Sequence, residues 1–342
     1  MSVLRKAPPV RRQALDPSPE KWVSLSPLFA GQRLPLLATP AADGVSLAEW
    51  MRRCPEALAG PLRRHGAILC RGFGLRSLDD LRELVEAAAG APLDYHERTS
   101  PRHQVGHGVF TSTDHPADHD ILLHNENSYA FRWPGKIFFF CRVPAASGGE
   151  TPIADSRAVL AQVPAGIRER FDRLGVVYVR NYGDGFGLSW QAAFQTEAPS
   201  VVEEYCRGAG IECEWRSGNR LRTHAPRPAI TLHPVTRERL WFNQVALFHP
   251  AGLAPEERGA LRAEFAADEL PVNVTYGDGS AIEDEVVAEI LAAYERETVA
   301  FAWQRGDLLV LDNMLAAHGR RPFAGPREIV VSMAEPLSWK NI

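Results

Sequence analysis

The run KIFFFCRV, residues 136–143, is fenced by Pro134-Gly135 on one side and Pro144 on the other. An apolar, aromatic stretch this short, bounded by turn residues, reads as a buried strand. DLLVLDN at 307–313 and REIVVSMAEP at 327–336 read the same way near the far end of the chain, as does AILCRGF at 67–73 near its start. VVYVRNY, AITLHP and LWFNQ are further short β candidates between turn residues. Strands early and late, with long helical and loop segments between, predict an α+β chain built on a sandwich or jelly roll decorated by helices. A doubly wound βα fold fits less well, because helices do not alternate with strands and no G-x-G-x-x-G follows a strand.

SLDDLRELVEAAAG predicts a helix capped by Ser77, with Asp79 and Asp80 in its first turn and Gly90 at its end. SLAEWMRRCPEALAGPLRRHG reads as helical pieces interrupted by proline, and residues 255–269 and 282–298 as two more helices. Residues 95–124, polar and rich in Gly, Pro and His, are expected to be loop. The first 22 residues mix Pro, Lys and Arg without periodicity and are expected to form a flexible arm. Residues 23–342 then make a single domain with a helical insertion around 155–305.

A composition 45% hydrophobic and 23% charged is that of a globular protein, and a formal charge of −4 offers no basic excess to a nucleic acid. The cysteines number five, an odd count, and no C-x-x-C occurs, so neither a disulfide framework nor a thiolate zinc site is expected. The N-terminus lacks a secretory apolar core, and no stretch approaches the roughly 20 apolar residues of a membrane span. The expectation is a cytoplasmic protein with neither nucleic-acid nor membrane partner.

His124 and Glu126 stand two apart just before the aromatic run. On an extended chain such residues project to the same side, which suits a shared metal, although the pair alone is also an ordinary strand-edge feature. His318 follows the apolar run at 307–313 in what reads as a polar turn, and Arg327 opens the next strand nine residues later. Two histidines and one carboxylate are the ligand set of non-haem Fe(II) oxygen chemistry, with coordination positions left open.

The chain resembles the taurine dioxygenase/clavaminate synthase-like superfamily of Fe(II)- and 2-oxoglutarate-dependent oxygenases. It is most like the branch that hydroxylates amino acids, free or carrier-bound, in natural-product pathways. YHERTSPR, TSTDHPADHDILLHNENSYAFRWPGKIFFFC, GGETPIADSR, LWFNQ and DNMLAAHGRRPFAGPREIVV carry the likeness, from about residue 67 to 336. The resemblance implies a double-stranded β-helix, or jelly-roll, core with helical insertions. It implies Fe(II) held by His124, Glu126 and His318, with 2-oxoglutarate and O2 as co-substrates. Arg327 matches the arginine that pairs with the far carboxylate of 2-oxoglutarate, a role a guanidinium fork suits. Thr151 matches a threonine that helps bind it. Glutamate stands where many relatives have aspartate, and its presence disfavours the halide-binding variant of the family. The implied reaction is hydroxylation, at the β-carbon, of a small amino-acid-like substrate, free or as a carrier-protein thioester; epoxidation and desaturation use the same oxidant.

Several alternatives stay open. Arg320 or Arg321 could replace Arg327 as the anion partner. His115 and His119, four apart, have the spacing of helical zinc ligands, but no H-E-x-x-H is present. Arg98 and Arg102 could meet an acidic group of the substrate or anchor a loop, and Asn243 and Gln244 could face the site. Two histidines and a glutamate also serve catalytic zinc in hydrolases, and a non-catalytic jelly-roll sensor would keep the same scaffold.

Overall fold

The strand Arg132–Val143 runs through the interior of an eight-stranded sheet, between Leu308–Asp312 and Glu328–Ser338, both antiparallel to it. Phe140 pairs with Leu308 and Val330, and Phe139 with Leu309 and Val331. Side chains alternate across a strand. Phe138, Phe140, Leu308, Val310 and Val330 pack on one face with Trp50, Met51, Leu62 and Leu84. Ile137, Phe139, Cys141, Leu309 and Val331 pack on the other with Ile153, Ala316 and Trp303. Both faces are covered, and this explains why the run shows no polar alternation.

The computed structural model describes residues 18–93, 103–112, 115–183, 187–340 and 342. Of the expected arm, residues 1–17 lie outside the described residues; Pro19–Lys21 is a short 3-10 turn and Trp22 is buried. The helices on the first face of the sheet are Leu47–Arg53, Pro55–His65 and Leu78–Ala89. The last has the full capping box, in which Ser77 accepts from the Asp80 N–H and Asp80 accepts from the Ser77 N–H. On the second face lies a three-stranded sheet ordered Ile121–His124, Ala316–Arg320, Ile153–Asp155. The two sheets close over the cluster around Ile137 and Phe139 as a jelly roll, so the α+β architecture is the one expected.

Between Asp155 and the last strands the chain builds helices and a second, four-stranded sheet, ordered Glu212–Arg216, Arg220–Arg227, Val176–Tyr182, Val272–Tyr276. Helices Asp284–Glu297 and Pro255–Glu264 lie where helices are expected, the latter ending five residues early at Phe265. No helix among the described residues is long and apolar enough to cross a membrane. All five cysteines are thiols, four of them buried.

Two expectations need correction. Residues 95–124 hold three strands, Gln104–Gly106, Val109–Thr111 and Ile121–His124, where loop was expected. Distant partners supply two of the ladders, Val109–Thr111 pairing with Glu328–Ser338 and Ile121–His124 with Ala316–Arg320, which local polarity does not reveal; Gln104–Gly106 pairs with its neighbour Val109–Thr111. His318 lies not in a polar turn but in the strand Ala316–Arg320, every residue of which is buried.

Phe140, 1% exposed, fills the space between sheet and helices. Phe140→Ala is expected to cost about 3–5 kcal/mol of stability, read as a lowered urea midpoint at unchanged slope. A loss below ~1 kcal/mol would contradict a sheet packed on both faces.

Candidate active site

In the three-stranded sheet His318 is the direct cross-strand partner of His124. Gly319 is what lets the strands approach. A Cβ there would lie 2.4 Å from the Ile121 carbonyl oxygen, so only glycine fits. The imidazole rings consequently stand 4.5 Å apart between centroids, and the edge of the sheet becomes a two-histidine wall. Phe139 supports His318 from the large sheet at 5.0 Å.

Glu126 reaches the same point from the turn beyond Ile121–His124. Its Oε2 lies 3.9 Å from His124 Nε2 and 3.7 Å from His318 Nε2. Glu126 and His318 are buried and His124 nearly so. Each of the three offers one ligand atom, and those atoms lie within 4.8 Å of one another. His124 Nδ1 donates to the Leu122 carbonyl at 2.8 Å, which leaves the Nε2 lone pair turned toward Glu126. Two imidazoles and one carboxylate, gathered at a buried point and open on one side to a cavity, fit a divalent transition metal.

Glu126 is held in place by a buried amide that sequence reasoning did not single out. Asn313 Oδ1 accepts from the Glu126 N–H at 2.7 Å, and its Nδ2 donates to the carbonyls of Glu126 and Pro134, each at 2.9 Å. Asn125, between the two ligands, donates to the Asn313 carbonyl at 2.7 Å and to the Ser156 hydroxyl at 3.1 Å. The turn carrying Asn313 is set by Asp312, whose Oδ1 accepts from the Met314 and Leu315 N–H groups at 3.1 Å. His233 Nδ1 accepts from the N–H groups of Val235 and Thr236, so its Nε2 is the donor to Asp312, at 3.2 Å. The signal for this network was present in the DNML that follows the strand at 307–313, since Asp and Asn at a strand end are turn formers.

A cavity of about 540 Å³ opens from the three side chains and is lined also by Thr151, Arg320, Arg327, Gln244 and Tyr129. Arg327 donates to the Gly149 carbonyl at 3.0 Å and to the Ser112 hydroxyl at 3.4 Å, and its guanidinium lies 5.3 Å from the Phe323 ring centre. Burial, with Arg320 nearby, brings its pKa down to about 10, so it is still a cation at neutral pH. Thr151 accepts from the Trp303 indole N–H at 3.2 Å, so its own hydroxyl proton is available to another acceptor.

The other candidates divide. Arg320 spends its guanidinium on the carbonyls of His115 and His119, each at 2.8 Å, and on that of Pro116. Arg321 points outward to Asp120 and Glu295. Gln244 is on the cavity wall; Asn243 is turned away, donating to the Ala229 carbonyl and accepting from the Val245 N–H. Arg98 and Arg102 lie outside the described residues. His115 and His119 are not on a helix, and His119 instead pairs with Asp118 at 2.8 Å and approaches Glu257 at 3.5 Å.

A model of the taurine catabolism dioxygenase TauD, TfdA family matches residues 32–333. The chain is 41% identical over 314 residues to the dapdiamide synthesis protein DdaC of Enterobacter agglomerans, which covers 92% of this chain and 95% of that protein. It is 31% identical over 321 residues to a clavaminate synthase-like protein of Arabidopsis thaliana, with 91% and 92% covered. Among solved structures it is similar to PvcB, an Fe, alpha-ketoglutarate dependent oxygenase from an isonitrile synthetic pathway. The TM-score is 0.55 at 19% identity, over 96% of this chain and 98% of that one. AAD-2 in complex with Mn(II) and N-oxalylglycine gives a TM-score of 0.52 at 11% identity, over 91% and 96%. At these identities the structural likeness is one of fold.

Asn313→Ala removes the clamp on Glu126 without touching a candidate ligand atom. It is expected to weaken Mn(II) affinity roughly 10- to 100-fold, measured by anaerobic titration with the fold verified by circular dichroism. Unchanged affinity in a folded variant would contradict this role.

Proposed function

The chain belongs to the taurine catabolism dioxygenase TauD, TfdA family, and on that premise we propose that it hydroxylates an amino acid at an unactivated C–H bond, the β-carbon. The chain is a dioxygenase that depends on Fe(II) and 2-oxoglutarate. The proposed substrate is an amino acid, free or thioester-bound to a carrier protein, in secondary-metabolite synthesis in the cytoplasm. The relative named for dapdiamide synthesis supports the biosynthetic setting. The observation that carries the reading is the meeting of His124, Glu126 and His318 on a cavity wall that continues to the half-buried Arg327.

When bound, Fe(II) and 2-oxoglutarate supply the oxidising power, consuming O2, releasing succinate and carbon dioxide, and delivering one oxygen atom to a C–H bond. The protein's share is placement. His124, Glu126 and His318 are the proposed iron ligands. Two imidazoles and one carboxylate would hold Fe(II) with coordination positions left open for the keto-acid end of 2-oxoglutarate. Arg327 is the proposed partner of the far carboxylate, and its burial strengthens that pairing because little water competes. The Thr151 hydroxyl, oriented by Trp303, is the proposed second donor to the same carboxylate. A zinc hydrolase would have no use for a half-buried cation at this end of the cavity, so the oxygenase reading accounts for more of the residues.

The purified protein, given Fe(II), ascorbate, 2-oxoglutarate and a panel of amino acids, free and carrier-loaded, is expected to release succinate and yield a product heavier by one oxygen atom. Turnover supported by zinc without 2-oxoglutarate would contradict the reading. His318→Ala is expected to abolish succinate release and tight metal binding together. Arg327→Ala is expected to cost about 2–5 kcal/mol in 2-oxoglutarate affinity, seen as a raised KM. An unchanged KM would contradict the anion assignment.

A further inference from the structure

Gln244 follows the strand Arg239–Trp241 and is only 6% exposed. Its backbone N–H donates to the Tyr178 hydroxyl, and its Nε2 donates to the Asn125 carbonyl, both at 2.8 Å. The atom that faces a carbonyl must be the amide nitrogen, so the side chain has one orientation and Oε1 points the other way. Among the described residues none donates to Oε1, and this oxygen is not sealed within protein. The space beside it is the cavity that Gln244 lines together with His124 and Glu126. Leu122, Ala246 and Leu247 line the same cavity.

We propose that Gln244 reads the substrate by accepting, on Oε1, a hydrogen bond from an N–H group, the amino or acylamino nitrogen of the substrate. The proposal rests on the oxygenase reading above and names the feature by which its substrate is chosen. An acceptor fixed on the cavity wall discriminates strongly, because filling the cavity with a molecule that lacks the donor leaves the oxygen dry and unpaired. A nitrogen is chosen over a hydroxyl because the proposed substrate is an amino acid, whose amino or acylamino group is the donor that every member of the class carries. Arg320 is occupied by backbone carbonyls, and Arg327 stands at the proposed 2-oxoglutarate end. At the exposed part of the same cavity Asp118 and Glu257 are matched by His119 and Asp120 by Arg321, so among the described residues no uncompensated charge there competes with Gln244 for the substrate.

The acceptor is also tied to the chemistry by its anchor. Asn125 lies between His124 and Glu126, so Oε1 is held at a constant offset from the ligand atoms. A nitrogen seated on it fixes the neighbouring carbons relative to the metal. In an amino acid the β-carbon is two bonds from that nitrogen, which makes Gln244 a determinant of which carbon is presented.

The test separates binding from turnover. Enzyme loaded with Mn(II) and N-oxalylglycine is titrated calorimetrically with matched pairs, each an L-amino acid and its deamino counterpart. Both members are supplied as the free acid and as the N-acetylcysteamine thioester. The N–H-bearing member is expected to bind roughly 10- to 100-fold tighter, and Gln244→Met is expected to remove that preference. Equal affinity within the wild-type pairs overturns the proposal, as does a preference that survives in Gln244→Met or failure of every N–H-bearing probe to bind. Should Gln244→Met not fold, the wild-type pairs decide alone. Preferential binding without succinate when Fe(II) and 2-oxoglutarate are supplied would support the acceptor and sink the oxygenase reading.

Discussion

The pairing of Ile121–His124 with Ala316–Arg320 is the contact on which the rest of the molecule depends. It brings together residues from distant parts of the chain, and it does so at a separation only a glycine permits. Closing so long a loop costs entropy that grows slowly with length. The large sheet offsets that cost by burying Ile137, Phe139, Leu309 and Val331 against the same small sheet. The jelly-roll core therefore serves the site directly. Its first face and the helices there give the sheet rigidity, and its second face presses Phe139 against His318.

Around that contact, polar groups are arranged so that each fixes the next. His233 orients Asp312, Asp312 sets the turn, Asn313 clamps the backbone at Glu126, and Asn125 returns to the Asn313 carbonyl. Only Asn125 Oδ1 in this chain of contacts has no hydrogen-bond donor among the described residues; the bonds that are made limit the freedom of a turn whose ligand must be placed within a fraction of an ångström. Ligands drawn from a flexible turn alone would lack that definition. The same logic holds at the other end of the cavity, where Gly149 and Ser112 hold Arg327 and Trp303 holds Thr151.

The sequence disclosed what hydrophobicity and local chemistry encode. The strands at 132–143, 308–312 and 328–338 were legible because both of their faces are apolar, and the helix after Ser77 because its cap is written in adjacent residues. Ile121–His124 was not legible as a strand, since its ladder comes from residues nearly two hundred positions away. His318 read as a turn residue because Gly319, Arg320 and Arg321 follow it, yet Gly319 is there for close packing and Arg320 for capping the loop at His115–His119. Asn243 and Gln244 are equivalent in sequence, and only the direction of one residue against the next separates a backbone-bound amide from one on the cavity wall. The Asp312–Asn313 pair was visible as a turn but not as the clamp on a residue so far upstream.

His124, Glu126 and His318 are proposed to share one ferrous ion. Anomalous diffraction at the iron edge, from crystals grown and soaked anaerobically with Fe(II), addresses it without reference to turnover. The expected result is a single strong peak between His124 Nε2, His318 Nε2 and the Glu126 carboxylate. A peak beside His115 and His119, or density showing the three side chains turned away from a common point, would contradict it.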